Sequence, residues 1–170
     1  MKFIFDLDLT IWDCYDIHGN PIWAKQMVPP YYKQVAVNEV LTDDVRSFCS
    51  LRKGVKEFLI HLRKENYEIG FLSAGGILNL PFEYQPSVKL LKQFEILDKF
   101  NYIKMLEYKT YDKAFMLNLL NEDVVFFDDS EKVLNSVKDL KHVKSFDSSN
   151  IIDWNDMIGI DYDRYFIRTS

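Results

Sequence analysis

The chain has 170 residues, of which 48% are apolar and 28% charged, and its formal net charge is −5 at pH 7. This size and composition disfavour disorder and predict a single domain over residues 1–170. A weakly acidic chain without a long Lys/Arg run lacks the positive patch of duplex nucleic-acid binders, and the first apolar run meets acids too early for a signal peptide or membrane span. Cys14 and Cys49 have no metal-ligand spacing, so we expect them to be reduced thiols. Without a visible signal peptide or membrane span, we expect a cytoplasmic protein that has no membrane partner.

Short apolar runs alternate with amphipathic stretches along the chain. In order, these segments are a strand KFIF before Asp6, a helix at 54–65, a strand EIGFL before Ser73, a helix at 87–97, a strand at 100–106, a helix at 112–121, a strand VVFF before Asp128, a helix at 131–140 and a strand at 142–146. The helices are predicted from apolar residues at three- and four-residue spacings. This alternation is typical of an α/β protein with a mostly parallel sheet that is covered on both faces.

The segment at about 13–51 interrupts this alternation. It contains the turn-forming stretches His18–Pro21 and Pro29–Tyr32 and little periodicity. Because it follows the first strand, we expect a small flap or cap insertion over the strand ends. Four aromatic residues in or near it either pack the insertion down or line an entrance: Trp12, Trp23, Tyr31 and Tyr32.

Acids and a serine follow the predicted strands where the strands end. Asp6 and Asp8 follow the first strand, Ser73 the second, and Asp128 with Asp129 the fourth. Ligands of parallel sheets bind outside the carboxyl ends of the strands, so we expect these residues to converge. Clustered carboxylates oppose one another's ionisation unless a cation shares the site. An all-oxygen set without His or Cys favours Mg2+ and phosphoryl chemistry.

Three motifs together resemble those of the haloacid dehalogenase (HAD) superfamily phosphatases: FIFDLDLT resembles the D-x-D-x-T motif, FLSAGG the Ser/Thr motif and VVFFDDS the acidic motif. TIW, PPYY and FFDD further resemble the magnesium-dependent phosphatase subgroup. The resemblance covers roughly residues 3–145. It implies a Rossmann-like three-layer fold with a mostly parallel five-stranded core sheet and a small cap after the first strand.

The resemblance also implies residue roles. Asp6 would be the nucleophile, Asp8 the acid and then the base, and Lys113 the charge-neutralising lysine, with Lys109 as the alternative. The phosphate would be bound or oriented by Thr10, Ser73, Ala74 and Gly75. Mg2+ would be bound by Asp6, Asp8 (through its backbone carbonyl) and Asp128, with Asp129 reaching it directly or through water.

These roles predict Mg2+-dependent hydrolysis of a phosphomonoester through an aspartyl phosphate on Asp6. The alternatives are a phosphomutase or phosphotransferase with the same intermediate, and a noncatalytic binding module with the HAD fold. All the motif acids are present, which favours catalysis, and no second-substrate motif is visible, which favours hydrolysis. A sugar phosphate, a phosphotyrosine (including a phosphoprotein) and a nucleotide remain open as substrates. With so small a cap the site is either open to a bulky substrate or closed by a partner subunit in a homo-oligomer.

Overall fold

The computed structural model of the chain describes residues 1–34, 38–42, 46–107 and 112–166. In these ranges the strands are β1 (Lys2–Phe5), β2 (Trp12–Asp16), β3 (Pro21–Ile22), β4 (Tyr31–Gln34), β5 (Glu39–Thr42), β6 (Ser47–Leu51), β7 (Glu68–Gly76), β8 (Tyr102–Glu107), β9 (Val124–Asp128) and β10 (Val143–Asp147). The α-helices are α1 (Val55–Lys64), α2 (Pro86–Gln93), α3 (Lys113–Asn118) and α4 (Glu131–Val137). Within the same ranges, none of the helices combines the length and apolar character that a membrane crossing requires.

The first sheet is parallel and is buried on both faces. Its strand order is β10-β9-β1-β7-β8, and each neighbouring pair runs parallel. Along the central strand β1, Phe3 and Phe5 enter one hydrophobic core, and Ile4 enters another on the opposite face. A strand that buries both faces needs apolar residues at successive positions, which explains the run KFIF. The α/β class predicted from these runs is confirmed.

Helices cover both faces of this sheet. Helices α1 and α2 contribute side chains such as Phe58 and Leu91 to one core, and α3 and α4 contribute Leu117 and Val137 to the other. Each predicted helix is present but is shorter than predicted. Helix α2 ends before residue 97 because Glu95 adopts a left-handed conformation with φ of 59°, which terminates a helix.

Strand β7 is longer than the sequence predicts. The apolar run suggests that the strand ends before Ser73, whereas β7 continues to Gly76. The pairing between β7 and β8 is irregular from Ser73 to Gly76. A bulge of this kind redirects side chains at the end of a strand. Ser73 therefore lies within a distorted strand end and not in a following loop.

The predicted flap at about 13–51 is a second sheet. Its strand order is β3-β2-β6-β5-β4, and its pairings are antiparallel. The described part of this segment therefore has regular secondary structure, although its sequence shows little periodicity. Its strands have two to five residues. They mix polar and apolar residues and lack the continuous apolar runs that indicate the parallel strands, so the sequence did not predict them.

The two cysteines form a disulfide, which corrects the expectation of reduced thiols. Cys14 on β2 lies directly opposite Cys49 on β6, although 35 positions separate them in sequence. Antiparallel pairing creates this proximity, so the sequence spacing alone gave no sign of it. The disulfide lies in the hydrophobic core that the second sheet shares with one face of the first.

The segment after β10 packs against the start of α1. Trp154 is fully buried, and its ring lies 5.0 Å from Phe127 and 5.7 Å from Phe58, measured between ring centroids. Its amide donates to the carbonyl oxygen of Lys53 at 2.9 Å. The C-terminal segment therefore contributes to the hydrophobic core.

This packing predicts the effect of a methyl group at Gly54. Gly54 has a left-handed backbone with φ of 80°, and a Cβ there would lie 2.5 Å from Asp153 Oδ1 and 2.7 Å from the amide nitrogen of Asn155. We predict that Gly54→Ala lowers the free energy of unfolding by about 2–4 kcal/mol, because the clash adds to the backbone cost.

Gly19→Ala is the control, since Gly19 has a similar φ of 79° but nothing within 4 Å of its Cβ position. It should lose only about 1 kcal/mol in urea denaturation. Equal losses in the two variants would contradict the close contact between Gly54 and the C-terminal segment.

Candidate active site

The loop after β1 turns sharply, so that both of its acids line one cavity. The amide of Ile11 donates to the carbonyl oxygen of Leu7 at 2.9 Å, which closes the turn. Leu9 has a left-handed backbone with φ of 61°, a conformation that costs a non-glycine residue about 1–2 kcal/mol. Asp6, Asp8 and Leu9 all line the cavity. Strained backbone at a cavity wall is often found at functional sites.

The side chain of Lys113 joins two carboxylates that are far apart in sequence. Lys113 begins α3, and its Nζ donates to Asp6 Oδ1 at 2.8 Å and to Asp128 Oδ2 at 2.7 Å. All three residues are buried. Removing Lys113 from this group would leave two buried carboxylates without their countercharge. Lys113 thus lies at the acids, whereas the alternative lysine, Lys109, lies outside the described residues.

Two acids at the end of β9 complete a carboxylate cluster. Asp128 is the last residue of β9, and its Oδ1 accepts a hydrogen bond from the amide of Ser130 at 2.9 Å. One oxygen from each of Asp6, Asp128 and Asp129 lies within 4.8 Å of the other two. This all-oxygen donor set fits a hard divalent cation such as Mg2+.

Burial makes these acids difficult to ionise. It raises the pKa of Asp6 to about 6 despite the opposing charge of Lys113. Burial and the charge of Asp6 raise the pKa of Asp128 to about 6, and burial with the charge of Asp128 raises the pKa of Asp129. Burial alone would lower the pKa of Lys113, but the charges of Asp6 and Asp128 outweigh it and raise that pKa. Lys113 therefore keeps its positive charge.

Asp8 approaches the cavity beside the second sheet. Its Oδ1 accepts hydrogen bonds from Trp12 Nε1 at 3.0 Å and from the amide of Ala24 at 2.9 Å. Its Oδ2 lies near Gly75, where a Cβ would be 3.2 Å from it. Burial raises the pKa of Asp8, although the hydrogen bonds from Ala24 and Trp12 oppose this effect. Its side chain lies outside the carboxylate cluster, and the metal contact through its backbone carbonyl stays a prediction.

The bulged end of β7 forms the opposite wall. Ser73 is buried, and its Oγ accepts a hydrogen bond from the amide of Gly75 at 3.1 Å. A Cβ at Gly75 would lie 3.2 Å from both Ser73 Oγ and Asp8 Oδ2, so only glycine leaves this space open. The cavity has a volume of about 250 Å³. It is lined by Asp6, Asp8, Leu9, Trp23, Ser73, Ala74, Gly75, Lys113, Asp128, Asp129, Ser130 and Val133.

Thr10 is the one predicted site residue that does not line this cavity. It is fully buried, and its Oγ1 forms a 2.8 Å hydrogen bond with Ser148 Oγ. The carbonyl oxygen of Ser148 accepts a hydrogen bond from Arg52 Nη1 at 3.1 Å. Thr10 thus anchors the loop after β1 to the C-terminal segment, a partner that the sequence did not suggest.

The four aromatic residues near the insertion have different surroundings. Trp12 and Tyr31 are buried, and Tyr32 is 53% exposed without lining the cavity. Trp23 lines the cavity, with Lys25 Nζ 4.5 Å from the centroid of its ring. Both alternatives therefore occur: Trp12 and Tyr31 are packed in the core, and Trp23 lines the cavity.

Sequence reasoning missed several of the groups that support the acids. Ser130 immediately precedes the predicted helix at 131–140, and its Oγ accepts from the amide of Val133, a cap that this position could have suggested. The amide of Ala24, which donates to Asp8, had no such signal in the sequence, because nearly every residue has a backbone amide.

No family model matches the chain, and the curated proteins contain no significant match to it.

The raised pKa of Asp6 predicts that its charge destabilises the metal-free protein. Because the folded state keeps the Asp6 proton up to about pH 6 and the unfolded state loses it near 3.8, stability falls as pH rises between these values. We therefore expect Asp6→Asn, in a chelating buffer at pH 7.5, to raise the free energy of unfolding by about 1–3 kcal/mol. The gain should disappear near pH 4, where Asp6 is protonated in both states.

Asp16→Asn provides a control of opposite sign. Hydrogen bonds from the amide and side chain of Asn20 and the amide of His18 lower the pKa of the exposed Asp16. Its replacement should slightly reduce stability at pH 7.5. A loss of stability in Asp6→Asn at pH 7.5 would contradict the unfavourable burial of the Asp6 charge.

Proposed function

We propose that this chain is a Mg2+-dependent phosphomonoesterase of the HAD superfamily that forms an aspartyl phosphate on Asp6. The observation that carries the proposal is the buried contact of Lys113 Nζ with both Asp6 and Asp128, in a cavity that Asp8 and Ser73 also line. These residues come from separate motifs, and their convergence at the carboxyl ends of parallel strands is the arrangement that the chemistry requires.

Asp6 is the nucleophile in this proposal. An oxygen of its carboxylate forms a bond to phosphorus while the bond from phosphorus to the ester oxygen breaks. Asp8 donates its proton to the departing oxygen, so that the alcohol leaves neutral. The raised pKa of Asp8 favours the protonated form that this step needs. Lys113 remains charged and offsets the negative charge on Asp6 and the phosphoryl group.

The second step returns both aspartates to their starting states. Asp8, now a carboxylate, takes a proton from a water molecule whose oxygen attacks phosphorus. The bond between phosphorus and the Asp6 oxygen breaks and inorganic phosphate is released. Ser73 and the backbone amides of Ala74 and Gly75 would hold the phosphate oxygens, since small residues allow an anion to approach the backbone.

Mg2+ would be held by the carboxylates of Asp6, Asp128 and Asp129, with the backbone carbonyl of Asp8 as a further ligand. The fit rests on the spacing of the three carboxylates, since one oxygen of each lies within 4.8 Å of the others. When bound, the ion would offset the charge that the carboxylates and the phosphate bring together.

The Rossmann-like three-layer HAD fold belongs to the same proposal. Two features support it: a parallel sheet of order β10-β9-β1-β7-β8 with β1 at its centre, and helices on both faces. The sequence between β1 and α1 supplies the second sheet, which stands where a small cap is expected.

Metal removal is the first test. We predict that EDTA abolishes phosphomonoester hydrolysis and that excess Mg2+ restores it, because the carboxylate cluster otherwise repels an anionic substrate. Ca2+ should restore little activity, since its coordination is larger and looser. Release of inorganic phosphate from 4-nitrophenyl phosphate is the measurement. Undiminished turnover in chelator would rule out the metal-dependent mechanism.

Trapping of the intermediate separates Asp8 from Asp6. With 4-nitrophenyl phosphate, whose leaving group needs little protonation, Asp8→Asn should still transfer the phosphoryl group to Asp6 but hydrolyse it slowly. The phosphoenzyme should accumulate and be detected on Asp6 by reductive trapping and mass spectrometry. Asp6→Asn is the matched control: it should form no adduct and lose at least about 10³-fold in activity. Wild-type turnover in Asp8→Asn would show that the general base is another residue.

A further inference from the structure

Asp8 is oriented by two hydrogen-bond donors that belong to the inserted segment. Trp12, the first residue of β2, donates from Nε1 to Asp8 Oδ1 at 3.0 Å. Ala24, the first residue of a short 3₁₀ helix at Ala24–Gln26, donates from its amide to the same oxygen at 2.9 Å. Two donors satisfy both lone pairs of Oδ1. Oδ2 is therefore the oxygen available to a ligand.

The other oxygen, Oδ2, lies beside the cavity wall formed by the end of β7. The Cβ position of Gly75 is 3.2 Å from Asp8 Oδ2 and also 3.2 Å from Ser73 Oγ. Asp8, Ser73 and Gly75 all line the cavity. The two oxygens of the Asp8 carboxyl group thus have different surroundings. Oδ1 accepts the hydrogen bonds from Trp12 and Ala24, and Oδ2 lies beside the end of β7.

Both donors are themselves held by packing. Trp12 is fully buried, and its ring stacks on Phe94 with 6.1 Å between the centroids. Ala24 is also fully buried. The 3₁₀ helix that begins at Ala24 is closed by a 2.8 Å hydrogen bond from the amide of Trp23 to Gln26 Oε1. Donors fixed in this way can fix the rotamer of an acid that they bind.

We infer that Trp12 and the amide of Ala24 are positioning groups that hold Asp8 with Oδ2 toward the leaving group of the phosphomonoester, an inference that rests on the proposed function. Oδ2 then carries the proton that passes to the ester oxygen as its bond to phosphorus breaks. The same oxygen takes the proton of the attacking water in the second step. Oδ1 remains hydrogen-bonded to the two donors throughout.

This role predicts a loss that depends on the leaving group. An alkyl phosphate needs a proton at its leaving oxygen, whereas 4-nitrophenyl phosphate needs little. In Trp12→Phe, which keeps an aromatic ring and removes the indole N–H, kcat/KM for glycerol 2-phosphate should fall at least about 10-fold, and kcat/KM for 4-nitrophenyl phosphate less than about 3-fold. Both constants report the steps up to phosphorylation of Asp6. A merely structural role for Trp12 would lower them equally, and equal losses, or no loss, would overturn the inference.

Trp154→Phe is the matched control. Trp154 is also fully buried, but its Nε1 has no hydrogen-bond partner among the described residues. This substitution removes the same atoms from the core without touching Asp8. It should change the two values of kcat/KM by the same factor. A selective loss for glycerol 2-phosphate in Trp154→Phe would show that core packing, and not the bond to Asp8, causes the effect.

Ala24→Pro tests the second donor. Proline lacks the amide hydrogen and is tolerated at the first position of a helix. The preceding residue, Trp23, already has the extended backbone that proline requires, with φ of −89° and ψ of 150°. A variant that retains the wild-type circular dichroism spectrum should show the same selective loss as Trp12→Phe. Unchanged kinetics in that folded variant would remove Ala24 from the inference.

An NMR measurement that needs no catalytic turnover distinguishes a failure of this inference from a failure of the proposed function. The indole N–H signal of Trp12, assigned by its absence in Trp12→Phe, should move in the ¹⁵N–¹H NMR spectrum of Asp8→Asn, while the Trp154 signal stays. If wild-type protein hydrolyses substrate but the Trp12 signal does not move, the contact is absent and only the inference fails. If the signal moves but wild-type protein hydrolyses neither substrate with Mg2+, the proposed function fails and the catalytic role of the contact fails with it.

Discussion

The buried ammonium group of Lys113, held between Asp6 and Asp128, is the interaction on which the site depends. Three charges are removed from water together, and the attraction of the two carboxylates to the one ammonium group offsets only part of this cost. The lysine comes from the start of α3 and the acids from the ends of β1 and β9, so these elements cannot shift independently. The raised pKa values of both acids show that the compensation is incomplete. A cation beside Asp129 would offset the remaining repulsion.

The parallel sheet brings these charged groups together with little backbone strain. Strands β1 and β9 are neighbours in register, with Phe5 beside Phe127, so the residues that follow each strand emerge side by side. The bulge at the end of β7 brings Ser73 and Gly75 to the same edge. Strain is confined to the connecting loop, where Leu9 has a left-handed backbone. The two hydrophobic cores hold the sheet rigid beneath these polar groups.

The inserted segment does more than border the cavity. Trp23 lines the cavity, and Trp12 and Ala24 supply the two hydrogen bonds to Asp8 Oδ1. In the proposed mechanism, Asp6 depends on the first sheet and α3, whereas Asp8 depends on the second sheet. The two aspartates are two residues apart in sequence, yet separate parts of the fold support them. Their environments can therefore be tuned separately, as a nucleophile and an acid require.

Local patterns determined the α/β class, the helices and the strands of the parallel sheet. A helix buried on one face has apolar residues at three- and four-residue spacings, and a strand buried on both faces has a continuous apolar run. These patterns also singled out Asp6, Asp8, Ser73, Asp128 and Asp129, since these polar residues end apolar runs, and Lys113 through the family resemblance. Only the tertiary structure decided the antiparallel sheet, the disulfide, the pairing of Thr10 with Ser148 and the donors that hold Asp8. These features arise from backbone groups and from residues distant in sequence, and such contacts leave no pattern in neighbouring positions.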